Sequence, residues 1–175
     1  MFLTTHAAAG IAISTISANP LTVFGASFLS HFILDFIPHG DENLYRDYEW
    51  RQQHRYRRVV LINALDLGAL TGLVVWAVTQ ASVPGGQLLT IGILGSILPD
   101  FLSYFFPIIH QRFSWLFLMR WLYAVTKPTG LRYLVRGQNR LHRLLHDDII
   151  RRDVPLPVGV ALQVICIVLF LFAVT

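Results

Sequence analysis

His31 and Asp35 stand four residues apart in Phe28-Leu29-Ser30-His31-Phe32-Ile33-Leu34-Asp35. On a helix this spacing puts both side chains on one face, where they can reach a common point. A neutral imidazole and a carboxylate so placed make half of a site for zinc, manganese or iron. His6 and Asp100 also lie within apolar sequence and would complete a four-ligand N/O shell. Asp66, with Asn63 one turn away, would be a fifth ligand, a partner orienting a histidine, or the catalytic base that takes a proton from bound water. A plainer chemistry competes with each role: the carboxylates can tie helices together through Asn63, Ser96 or Tyr104, and a histidine can serve as a hydrogen-bonded packing residue.

The elements that must position these groups are apolar. Of 175 residues 54% are hydrophobic and 14% charged, and mean hydropathy is +0.55, more apolar than one soluble core requires. The pattern predicts an all-α, polytopic transmembrane bundle forming a single integral membrane domain over 1–175. About five membrane helices are expected, at 3–16, 21–37, 59–78, 88–106 and 156–174. Asn19-Pro20 breaks the first two apart and Pro84-Gly85-Gly86 makes a tight turn before the fourth. The first helix is short for a span, so it is expected to be tilted, re-entrant or buried among the others. The last, with no ionisable side chain except Cys166, reads as a plain anchor. Met1 to Ser17 has no basic n-region and reads as mature sequence rather than as a cleaved leader.

All 14 Lys and Arg fall between Arg46 and Arg58 or between Arg112 and Arg152. Two such blocks read as membrane topology, with both in the cytoplasm, and not as a nucleic-acid surface. The segment 110–153 mixes these charges with Trp115, Leu116, Leu118, Met119 and Leu122, which suits amphipathic helices lying on lipid headgroups. With that orientation, and a rise of 1.5 Å per residue, His31, Asp66 and Asp100 lie about 9 to 12 Å inside the inner boundary, and His6 and Asp35 about 3 to 5 Å. Charges at such depth cost a few kcal/mol each and usually face a protein-lined cavity with a task.

Other polar groups read less sharply. His39 and Asp41, just past Pro38, would line the mouth of the site or bind a second metal, with a solvated loop the simpler reading. His142 and His146 share a helix face, but the surrounding arginines favour a basic surface helix. Laying Phe32–Phe36 on Ile97–Phe101 makes Asp35 and Asp100 coincide, an echo that two similar hairpins around one site would produce.

The run Leu29-Ser30-His31-Phe32-Ile33-Leu34-Asp35 resembles the Leu-Ser-His-x-Leu-Leu-Asp signature of a family of bacterial inner-membrane proteins regarded as metal-dependent hydrolases. Thr5-His6-xxx-Gly10 and Leu98-Pro99-Asp100 are similar to two further elements of that family. The resemblance covers about a quarter of the chain. It implies that His6, His31, Asp35 and Asp100 occupy motif positions. Here Leu-Pro-Asp follows the Ser-His signature instead of preceding it, and Phe101-Leu102 replaces the usual second aspartate. The family's His-Arg-Gly-x-Thr-His element is absent, since His54-Arg55 continues into Tyr56-Arg57-Arg58.

Taken together, the residues and the resemblance lead to the expectation of a membrane-embedded hydrolase of the bacterial inner membrane. One divalent metal, zinc by preference, would be held by His6, His31, Asp35 and Asp100. It would act on an ester or phosphoester, with membrane lipids as surroundings and a lipid-linked compound as substrate. Acid-phosphatase-type lipid phosphatases also use His-xxx-Asp, but they need a basic clamp for phosphate, and no basic residue precedes Arg46. The competing expectation is a non-enzymatic membrane protein, a structural subunit or a metal- or ion-handling protein, using the same polar layer.

Overall fold

A computed structural model describes residues 1–40, 54–105, 133, 137–141, 144 and 154–175. These are helical, with no strand among them: α1 (Leu3–Ser14), α2 (Pro20–Asp35), α3 (His54–Thr79), α4 (Gln87–Asp100) continuing into a π-helical turn (Phe101–Phe105), and α5 (Leu156–Val174). Asp41, His142, His146 and nearly all of the basic segment 110–153 lie outside the described residues.

Local chemistry accounts for the helix ends. The Asn19 side chain accepts from the Leu21 and Thr22 amides at 2.9 and 3.4 Å, and Pro20 fills the first helical position, where no N–H is needed. Gly86, with φ 65°, turns the chain into α4. Near the other end of α4, Pro99 removes the N–H that the Gly95 carbonyl would accept, and the helix widens into the π turn directly after Asp100.

The short first helix is the centre of the molecule. Of the three placements expected for it, burial among the others is the one observed: α1 packs on α2, α3, α4 and α5, and ten of its twelve residues are buried. Its Ala7-Ala8-Ala9-Gly10 run makes this possible, because small side chains let neighbouring backbones come close. At the crossing of α1 and α4, a Cβ on Gly10 would run into the Gly92 carbonyl, and one on Gly92 into the Gly10 carbonyl. Gly95 of α4 faces α2 less tightly: a Cβ there would stand 3.0 Å from the Phe24 carbonyl and 3.1 Å from Ser27 Cβ.

Outside this centre the described faces of α2, α3 and α5 are oily. Leu21, Leu29 and Ile33 of α2, Leu61, Leu65 and Val78 of α3, and Leu169 and Phe172 of α5 are all more than half exposed. The buried set, by contrast, includes Thr4, Thr5, His6, Ser27, His31, Asp35, Ser96, Asp100 and Gln163. Among the described residues two helices are long and apolar enough to cross a membrane, α3 over Val59–Thr79 and α5 over Leu156–Val174; α2 and α4 are apolar but shorter.

Candidate metal centre

Three helices meet at one polar cluster. α2 presents His31 and Asp35 from one face, α1 brings His6, and α4 delivers Asp100 at the residue where it passes into the π turn. His31 Nε2 lies 3.1 Å from Asp35 Oδ2 and 3.6 Å from Asp100 Oδ1. His6 Nε2 lies 3.3 Å from Asp35 Oδ1 and 3.9 Å from Asp100 Oδ2. One ligand atom each from His6, His31 and Asp100 lies within 4.8 Å of the others, so these three buried side chains can hold a metal ion. The side chains of His6, His31 and Asp35 are at most 1% exposed, whereas that of Asp100 is 12% exposed and forms the open edge of the group.

The hydrogen bond behind His31 decides what its other nitrogen can do. Nδ1 lies 2.8 Å from the Ser96 carbonyl oxygen, which only accepts, so this nitrogen carries the hydrogen. In the neutral ring Nε2 is then a bare lone pair directed at carboxylate oxygen. A metal-binding histidine is usually held by such a backbone carbonyl on its far nitrogen. Neither ring nitrogen of His6 has a hydrogen-bond partner among the described residues.

Lone pairs facing one another at these distances call for positive charge between them. Two protonated imidazoles would supply it, but the rings of His6 and His31 are stacked with centroids 4.0 Å apart. Two unit charges at that separation repel by about 4 kcal/mol at an effective dielectric of 20. The buried Met1 ammonium, 3.6 Å from Asp35 Oδ1, supplies one positive charge to the cluster; a divalent ion would be a second source that leaves both imidazoles neutral. Two imidazoles and a carboxylate are donor types that could hold a metal ion.

Asp66 is placed differently. Its Oδ2 accepts from the Leu3 amide at 2.9 Å and its Oδ1 from the Thr4 amide and hydroxyl at 3.1 and 2.6 Å, while its backbone carbonyl accepts the same hydroxyl at 2.9 Å. The carboxylate expected as a catalytic base is thus engaged with the first turn of α1, where the N–H groups lack intrahelical partners and the helix dipole favours negative charge.

Two further expectations change. His39, read as belonging to a solvated loop, is 1% exposed; its Nδ1 donates to the Ile37 carbonyl at 2.8 Å. Its burial follows from α5, where Gly159 lies so close to the His39 carbonyl that no Cβ would fit. Nor is α5 a plain anchor. Gln163, 1% exposed, reaches the start of α1 and the His39 carbonyl, and sequence reasoning passed over it. The available signal was a lone amide in an otherwise apolar helix, which lipid would leave without partners.

The polar lining continues past the open edge. Gln138 Nε2 donates to the Pro99 carbonyl at 3.2 Å and to Ser103 Oγ at 3.1 Å, and Ser103 Oγ donates to Asn139 Oδ1 at 3.1 Å. Uncharged polar groups thus follow Asp100 along the π turn. No family model matches this chain, and no curated protein or solved structure does so either.

Proposed function

We propose that this chain is a polytopic membrane protein in which His6, His31, Asp35 and Asp100 bind one divalent metal, with zinc the best fit, and that the centre hydrolyses an ester or phosphoester. The single observation carrying the reading is the convergence of two imidazole nitrogens and two carboxylates, from three helices, at separations of 3.1 to 3.9 Å. The five-span arrangement with basic loops in the cytoplasm is part of the proposal. It is supported by the oily faces of α2 and α3 around a polar centre and by the two blocks of basic residues. α2 and α4, though short, would cross a locally thinned or tilted layer.

A divalent ion in this set would supply a Lewis acid that makes water nucleophilic near neutral pH. The water oxygen would form the new bond to carbonyl carbon or phosphorus, and the alcohol would leave with a proton. Substrate would approach past Asp100, where the site is open, and a lipid or lipid-linked ester could reach it from within the bilayer. Resemblance to the metal-dependent hydrolases, through Leu29–Asp35 and Leu98-Pro99-Asp100, points the same way.

The test uses zinc-loaded protein in detergent with micellar fatty-acyl esters and phosphate mono- and diesters. Turnover should stop on chelation, return on zinc addition, and be lost in Asp35→Ala. Loaded protein that turns over none of these esters contradicts the enzyme reading.

One observation favours a second reading. Four protein ligands around one ion close a tetrahedral shell, the pattern of structural sites, and three of the four are sealed from solvent. The centre would then tie α1, α2 and α4 together without turnover. Cobalt substitution separates the two: an open site changes its visible spectrum when azide is added, and a closed one does not.

A further inference from the structure

The first turn of α1 has no cap of its own. Phe2 occupies the N-cap position without a side-chain hydrogen bond, so the amides of Phe2, Leu3 and Thr4 need acceptors from elsewhere. Asp66 of α3 takes Leu3 and Thr4. Gln163 of α5 takes Phe2, its Oε1 accepting from that amide at 2.7 Å and from the Thr5 hydroxyl at 3.3 Å. The other end of the same amide, Nε2, donates to the His39 carbonyl at 3.3 Å.

These contacts flank two proposed ligands. Thr5 precedes His6, and His39 follows Asp35 by four residues. One planar, buried amide therefore joins the segment that carries His6 to the segment that carries Asp35. The close approach of Gly159 to His39, one turn before Gln163, brings the amide into range. We infer that Gln163 is a positioning residue that sets the separation of His6 from Asp35 and so tunes the metal affinity of the centre, while Asp66 of α3 holds the next two amides of α1. The inference rests on the metal reading of the cluster. His31 is held independently, through Ser96. Loss of Gln163 should thus displace His6 first and reach His31 only through the stacking of the two rings.

Removing groups that orient metal ligands typically weakens binding about 10- to 100-fold, because ligand geometry must be held to about 0.5 Å. The experiment compares zinc affinity, by competition with a chelating dye in detergent, for wild type, Gln163→Leu, the milder Thr5→Val, and Thr79→Val as a control on the exposed end of α3. Gln163→Leu is expected to bind at least about tenfold more weakly, Thr5→Val to lie between it and wild type, and Thr79→Val to match wild type. A second readout needs no metal: in chelator-treated protein labelled with ¹⁵N-histidine, Gln163→Leu should shift the His6 ring signals more than those of His31, whose ring stacks on it. Folded Gln163→Leu with wild-type affinity and unmoved His6 signals overturns the inference. If Gln163→Leu does not fold, Thr5→Val decides by the same two criteria. Wild type that binds no zinc contradicts the metal reading, and the histidine signals then decide the positioning claim alone.

Discussion

Asp66 and Asp35 are both carboxylates among helices, yet their surroundings differ in kind. Around Asp66 every contact is a donor meeting an acceptor: two amides and a hydroxyl at 2.6 to 3.1 Å. Around Asp35 the neighbours include two imidazole nitrogens at 3.1 and 3.3 Å, one of which has its ring hydrogen committed to Ser96 on the far side. The first carboxylate is neutralised by a helix terminus and finishes a structure. The second stands in a group of two carboxylates, two imidazoles and the Met1 ammonium, three of whose side chains could hold a metal ion. The lesson is that depth in an apolar helix does not distinguish a structural carboxylate from a ligand; the type of atom facing it does.

The sharpest way to break this comparison is to remove one carboxylate at a time. Asp35→Ala is expected to abolish stoichiometric metal while leaving helix content unchanged, measured by elemental analysis and circular dichroism; retention of one metal per chain would place the ion elsewhere. Asp66→Ala should do the reverse. It strands the Leu3 and Thr4 donors, at about 1 to 3 kcal/mol for each buried group left unpaired, so thermal unfolding in detergent should move down by many degrees. At saturating zinc the variant should still bind one ion. Asp66→Asn keeps one acceptor and should fall between the two, and an unchanged midpoint in Asp66→Ala would contradict the capping role.

The packing that holds both regions gives a smaller effect. Gly10→Ala puts a methyl against the Gly92 carbonyl and should cost about 1 to 3 kcal/mol as overpacking. Gly68→Ala meets nothing within 4 Å, so its unfolding midpoint should stay level or rise by the helix propensity of alanine, at most about 1 kcal/mol. Equal midpoints for the two variants would argue against the close crossing of α1 and α4.

Much of this architecture is legible in the residues. The Asn19-Pro20 break, the bounds of the last helix, and the pairing of His31 with Asp35 all follow from local chemistry, which periodicity and capping preferences capture directly. Depth along the helices sets His6 and Asp35 at one level and His31 and Asp100 at a deeper one, whereas the four side chains meet in one cluster. Rise per residue gives height and not azimuth, so it does not show that Asp66 meets the first turn of α1. His39 and Gln163 escape for a related reason. Their roles come from the docking of α5 against the turn after α2, a contact between segments 124 residues apart, and no window of neighbouring residues encodes it. The central place of α1 is half visible, in its shortness and its run of alanines.

The claim on which the rest depends is that the cluster of His6, His31, Asp35 and Asp100 holds one divalent ion. Elemental analysis of detergent-purified wild type, prepared without chelator beside Asp35→Ala and His31→Ala, tests it most directly. The account predicts one transition metal, zinc foremost, per wild-type chain and less than about a tenth of that in either variant, as expected for loss of a ligand. A wild-type chain without metal, or variants that retain it in full, would contradict the account.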